Sequence, residues 1–181
     1  RDQRITRYGR LLRWMDSDED VFSEDSPLFL SHAEKRDVLE AIQGPVYRLA
    51  SVPKYLLLRL DSVLSGGEAS YRHSTITVEH VLPQNPPEGS EWLANFPDPE
   101  ERDELVDTLG NLVLLNRRKN SAASNRPFDE KKETYFQKGK KGTSPFALTV
   151  DVLKRSSWTP EIVRERTDDM VELLAEEWDL R

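Results

Sequence analysis

Ser74-Thr75-Ile76-Thr77-Val78-Glu79-His80-Val81-Leu82-Pro83-Gln84 opens with β-branched, alternating residues and closes on a proline turn. Residues 74–78 therefore read as a short strand that delivers Glu79 and His80 at its end. Further along, Asn111-Leu112-Val113-Leu114-Leu115 follows Gly110 and has the apolar run of a second strand. A Pro-rich loop and a short helix near 99–108 lie between them, and a helix around 129–137 lies beyond. The expected fold class is mainly α with a small β-hairpin.

Outward from this centre the chain is helical. Leu11, Leu12, Trp14 and Met15 end a first amphipathic segment, and the acidic stretch 16–27 reads as a loop. Ser31 can cap a helix that runs to about Gln43 and stops at Gly44. A further helix starts at Pro53, where the missing N–H costs nothing, and ends at Gly66-Gly67. Its apolar residues, Tyr55 to Leu58, Leu60, Val63 and Leu64, surround the axis and predict burial. Thr159 and Pro160 open the last helix, and Ile162, Val163, Arg166, Met170, Leu173, Leu174 and Trp178 recur at helical spacing as a core stripe. Trp92 and Trp158 are expected to anchor loops to the core. Residues 1–66 are expected to be a helical scaffold and the link to an upstream domain, since the chain opens on Arg1 rather than Met. Residues 67–181 carry the functional core and the C-terminal helices.

The 181 residues include no Cys, which excludes disulfides and thiolate zinc sites and fits a reducing compartment. No apolar run approaches the roughly 20 residues that span a bilayer. The formal charge of −7 argues against nucleic acid at first sight, but residues 117–141 hold 9 Lys/Arg against 3 acids, a local balance of +6. Such a stretch reads either as a phosphate-contact surface or as a solvated helix face.

Three pieces carry chemistry: Glu79-His80 at a strand end, Asn111 opening the second strand, and Asn120 beyond it. Neighbours on a strand point to opposite faces, so one of Glu79 and His80 can hold a metal while the other faces substrate. An imidazole is the natural base for taking a proton from water near neutral pH. A hard divalent ion on oxygen ligands would neutralise a phosphodiester, and a carboxamide such as Asn120 offers a neutral oxygen ligand or an orienting hydrogen bond. His73 reads as a loop histidine rather than a further ligand, and His32 as helix surface.

The segment E-H-V-L-P-Q resembles the first motif of HNH (ββα-metal) nucleases, and N-L-V-L-L-N-R-R-K-N resembles the second, with Asn111 and Asn120 at the family's spacing. The string L-G-N-L-V-L-L, followed by S-N-R-P-F-D-E-K-K and W-T-P-E-I-x-x-R, is similar to the C-terminal nuclease domain of GmrSD-type modification-dependent restriction and anti-phage proteins. That resemblance runs from about Tyr55 to the C-terminus and is most specific over residues 78–136. It implies an HNH core embedded in a helical domain, and a DNA endonuclease that nicks or cuts. His80 would be the general base, Glu79 and Asn120 the metal ligands for Mg²⁺ or Mn²⁺, and Asn111 the residue that fixes the loop and orients His80. Arg117, Arg118, Lys119, Arg126, Lys131 and Lys132 would contact phosphates, and Asn125 would be structural or substrate-contacting. Many relatives hold a structural zinc with Cys pairs where this chain has Asn116 and Lys119, so no structural zinc is expected. The resemblance also implies DNA as partner, an upstream nucleotide-hydrolysing sensor domain and a bacterial cytoplasmic setting. Nothing in the chain resembles a P-loop. The alternative reading is a DNA-binding or partner-docking module with a degenerate nuclease site, favoured by the helical content and by the acidic remainder of the chain.

Overall fold

A computed structural model of the chain describes residues 2–23, 25–69, 71, 75–116, 125–133 and 144–181. Two strands, β1 (Thr77–His80) and β2 (Leu112–Leu115), pair antiparallel, with Val78 opposite Leu114, Glu79 opposite Val113 and His80 opposite Leu112. All four residues of β2 are buried because apolar clusters cover both faces of the hairpin. Val78, Leu112 and Leu114 join Ile42, Leu57, Leu60, Met170 and Leu174 on one side. Val113 and Leu115 join Val81, Leu82, Trp92, Phe96, Phe128 and Trp158 on the other. Burial on both sides explains why β2 is uniformly apolar rather than alternating. The strand expected at 74–78 begins instead at Thr77 and includes Glu79 and His80, because the ladder with β2 sets its limits.

The surrounding helices are α1 (Asp2–Met15), α2 (His32–Gln43), α3 (Val52–Leu64), α4 (Glu91–Asn95), α5 (Pro99–Val106), α6 (Phe128–Lys131), α7 (Ala147–Leu153) and α8 (Pro160–Glu177). Short 3-10 turns lie at Val46–Arg48 and Leu109–Asn111. The α2 start is the expected one: Ser31 Oγ accepts from Glu34 N and the Glu34 carboxylate accepts from Ser31 N, a reciprocal capping box. The fold is mainly helical with this one hairpin among the described residues. No described helix is long and apolar enough to cross a membrane.

Helices α2 and α3 are continuous with the core, since Ile42, Val46, Leu56 and Leu60 share a cluster with β2 and α8 residues. Polar groups tie the same layers. Asp61 of α3, fully buried, accepts from Leu148 N at 3.0 Å and from the Tyr71 hydroxyl at 3.2 Å, and burial pushes its carboxyl up. Arg166 of α8 is 2 % exposed and donates to Asp151 at 2.8 Å, to the Gly110 carbonyl and to the Leu148 carbonyl. Burial draws its guanidinium down to about 10 against the pull of Asp151, so it remains a cation at neutral pH.

Candidate active site

His80 ends β1 with its side chain on the face of its register partner Leu112. The ring is nearly enclosed, with the residue 4 % exposed. Its Nε2 lies 3.0 Å from Asp107 Oδ1, and Tyr47 sets its ring edge-on to the imidazole with centroids 4.2 Å apart. Asp107 follows α5 and is a hub. Its Oδ1 also accepts from Gln84 Nε2 at 3.0 Å, and its Oδ2 accepts from Arg48 Nε at 2.8 Å. Its carbonyl accepts from Tyr47 N at 3.0 Å, while Arg48 reaches on to Asp103 Oδ1 at 3.1 Å. Burial pushes the Asp107 carboxyl up, but the hydrogen bonds from Arg48, Gln84 and His80 outweigh it and hold the group below the usual carboxylate range. The same contact, Asp107 first and Asp103 second, raises the Arg48 guanidinium.

Asn111 is fully buried and braces the loop that leaves His80. Its Nδ2 donates to the Leu82 carbonyl at 3.0 Å and the Val106 carbonyl at 2.8 Å, while its Oδ1 accepts from Leu82 N at 2.7 Å and Trp158 Nε1 at 3.1 Å. The carboxamide thus donates twice and accepts twice, a pattern that neither Asp nor Leu can reproduce. Asn111→Ala leaves these four partners buried without a substitute, and at roughly 1–3 kcal/mol for an unsatisfied buried group the total should reach about 4 kcal/mol or more. Trp158→Phe removes one donor and keeps the apolar body of the ring, so it should cost only about 1 kcal/mol. Urea unfolding of the two variants checks the ranking. Equal losses would mean that Asn111 is not the organising group.

Glu79 points to the opposite face, that of its partner Val113 and the Phe128–Trp158 cluster. It is 7 % exposed. A carboxylate is a hard oxygen donor of the kind that divalent ions take. Among the described residues no three His, Cys, Asp or Glu side chains converge as a metal cage. A Mg²⁺-type site needs none, since it can keep several waters beside one or two protein oxygens.

Asn120, Arg117, Arg118, Lys119 and His73 lie outside the described residues. Asn125 and Arg126 are exposed, with Arg126 paired to Glu130. Lys132 pairs with Asp129 at 2.8 Å, donates to the Arg155 carbonyl at 3.1 Å and lies over the Phe128 ring. Lys131, expected at a phosphate, turns inward instead. It is 1 % exposed, and its Nζ donates to the carbonyls of His80 at 2.8 Å and Val81 at 2.9 Å. Buried among backbone acceptors and facing Trp92, this ammonium staples α6 to the strand end. The two strands and the following helix are thus joined at the candidate base.

Asp107, Arg48 and Tyr47 had no place in the sequence reading, and Gln84 entered it only as the last residue of the E-H-V-L-P-Q motif, with no role. No local motif marks Asp107, Arg48 and Tyr47, because they stand 27, 32 and 33 positions from His80 and meet it only through packing. The one available signal is that Asp107 precedes Thr108-Leu109-Gly110-Asn111, which places a carboxylate just ahead of the bracing Asn.

No curated protein matches the chain. A family model for the C-terminal domain of GmrSD restriction endonucleases matches residues 33–173, a span that holds Arg48, His80, Asp107, Asn111 and Lys131. The chain therefore belongs to the family of GmrSD restriction endonuclease C-terminal domains.

Proposed function

We propose that this domain is a metal-dependent, HNH-type DNA endonuclease in which His80 activates the water that attacks a phosphodiester. The observation that carries the reading is the end of β1. There one strand position presents a fixed imidazole, and the preceding position presents an enclosed carboxylate on the other face.

A proton passes from water to His80, the resulting hydroxide attacks phosphorus, and the P–O3′ bond breaks. The departing 3′ oxygen takes a proton from solvent, leaving a 5′-phosphate and a 3′-hydroxyl. Glu79 and Asn120 would hold a Mg²⁺ or Mn²⁺ ion, which when bound would neutralise charge on the phosphodiester and the leaving oxygen. Asn111 and Lys131 keep the His80–Leu82 backbone in place from two sides, and positioning of this kind governs rate because small displacements of reacting groups are costly. Arg117, Arg118, Lys119 and Arg126 grip the flanking phosphates without reading sequence. In a longer protein the domain would act in the bacterial cytoplasm in defence against phage DNA, downstream of a nucleotide-hydrolysing sensor of modification.

Supercoiled plasmid incubated with the protein and Mg²⁺ or Mn²⁺ is expected to convert to open-circular or linear DNA, and EDTA is expected to stop the conversion. Glu79→Gln should raise the metal concentration for half-maximal cleavage by about tenfold or more, as loss of metal-site support does elsewhere. Cleavage that persists in EDTA would end the metal-dependent reading. Folded protein that binds DNA and leaves it intact with both metals would favour the docking-module alternative.

A further inference from the structure

We infer that Asp107, clamped by Arg48, is the positioning residue that fixes which nitrogen of His80 acts as the base, so that the N-terminal helical third completes the site. The inference rests on the reading of His80 as general base.

Asp107 Oδ1 faces two nitrogens, His80 Nε2 and Gln84 Nε2, while Oδ2 faces Arg48 Nε. An ionised carboxylate only accepts, and the three partners keep Asp107 ionised. His80 must therefore carry its hydrogen on Nε2, which places the lone pair of the neutral ring on Nδ1, the nitrogen that takes the proton from water. Tyr47 packs edge-on against the ring, and its backbone N–H holds the Asp107 carbonyl, so ring and carboxylate are located by the same short turn, Val46–Arg48. Arg48 is what makes the arrangement one-way. A guanidinium can only donate, so whichever Asp107 oxygen faces it must accept. His80 and Gln84 are different, because an imidazole can change tautomer and an amide can turn over.

Asp107→Asn exploits that asymmetry without changing shape. The new carboxamide must turn its oxygen to Arg48, which presents its NH₂ group to His80 and Gln84. His80 Nε2 then becomes an acceptor, the hydrogen moves to Nδ1, and the lone pair is on the wrong side of the ring. Adding Arg48→Met removes the constraint. The amide is then free to turn its oxygen back to His80, and the original tautomer returns. A residue that served stability alone would not be rescued by deleting a second hydrogen bond.

The test reads the ring directly. The chain holds only three histidines, His32, His73 and His80, so long-range proton–nitrogen correlation spectra of the full chain are readily assigned. They would be recorded at about pH 8.5, where an ordinary imidazole is neutral. The expected result is an Nε2–H ring at His80 in the parent protein, Nδ1–H in Asp107→Asn, and Nε2–H again in Asp107→Asn/Arg48→Met. In parallel, kcat on plasmid should fall about 10²- to 10⁴-fold in the single variant with KM nearly unchanged, and recover in part in the double variant. An Nδ1–H ring in the parent, or an Nε2–H ring in Asp107→Asn, overturns the inference. A tautomer that switches as expected while cleavage stays at the parent rate supports Asp107 as the group that sets the ring, and overturns His80 as the base.

Discussion

His80→Gln is expected to reduce plasmid cleavage by about 10²- to 10⁴-fold, the contribution of a positioned general base, while DNA affinity stays near the parent value. Glutamine is the informative replacement because its amide can still donate to Asp107 but cannot take a proton from water at neutral pH. His80→Ala should abolish cleavage at least as fully, with an added cost that sequence alone did not suggest. In the structure the residue is 4 % exposed and its ring fills the space between Tyr47 and Asp107. Truncation opens a cavity there and removes a donor from a buried carboxylate, so the alanine variant should lose roughly 2–3 kcal/mol of stability. Initial rates on supercoiled DNA, fluorescence anisotropy with a labelled duplex and urea unfolding separate these effects. Cleavage by His80→Gln at the parent rate would remove His80 from the role of base.

What could be read from the chain follows the range of the interactions involved. The α2 limits were legible because an N-cap serine and a glycine stop are local signals, and Ser31 and Gly44 occupy their expected positions. The α8 start at Pro160 was legible for the same reason, and Trp92 and Trp158 are fully buried as their size implies. The α4 and α7 helices were not, because Glu91–Asn95 and Ala147–Leu153 are too short for a 3.6-residue period to stand out. Asn111 was singled out by the resemblance to the second HNH motif, and in the structure its carboxamide bonds to Leu82, Val106 and Trp158. Lys131 was misplaced because charge in sequence does not reveal direction. A lysine one turn into a short helix can face solvent or, as here, two carbonyls of the preceding strand. Asp107 was invisible for the opposite reason. Its importance arises wholly from partners on three other segments, so no window of sequence contains the pattern.

Gly110→Ala is expected to cost more than about 4 kcal/mol, at the extreme of single substitutions, because nothing at this position can yield. Gly110 sits in the Leu109–Asn111 turn where α8 crosses directly over the lead into β2. Its N–H donates to Thr167 Oγ1 at 3.1 Å, and its carbonyl accepts from the buried Arg166 guanidinium. A Cβ here would collide with the Val163 carbonyl oxygen and Thr167 Oγ1 and stand 2.8 Å from Thr167 N. Two of those three are backbone atoms inside an 18-residue helix, so relief requires α8 to lift as a body. Lifting α8 would break the Arg166 and Thr167 bonds together and loosen Asn111, the next residue, from Leu82 and Val106. Stability and cleavage should therefore fall together, although Gly110 touches no group assigned to the chemistry. Gly44→Ala supplies the control. Its added Cβ would meet nothing nearer than 3.7 Å, and its backbone φ of −87° suits any residue, so stability should change by no more than about 1 kcal/mol. Thermal melts and urea titrations of the pair decide the matter. If Gly110→Ala melts within a few degrees of the parent protein, the close seat of α8 on this turn is not what holds the hairpin in place.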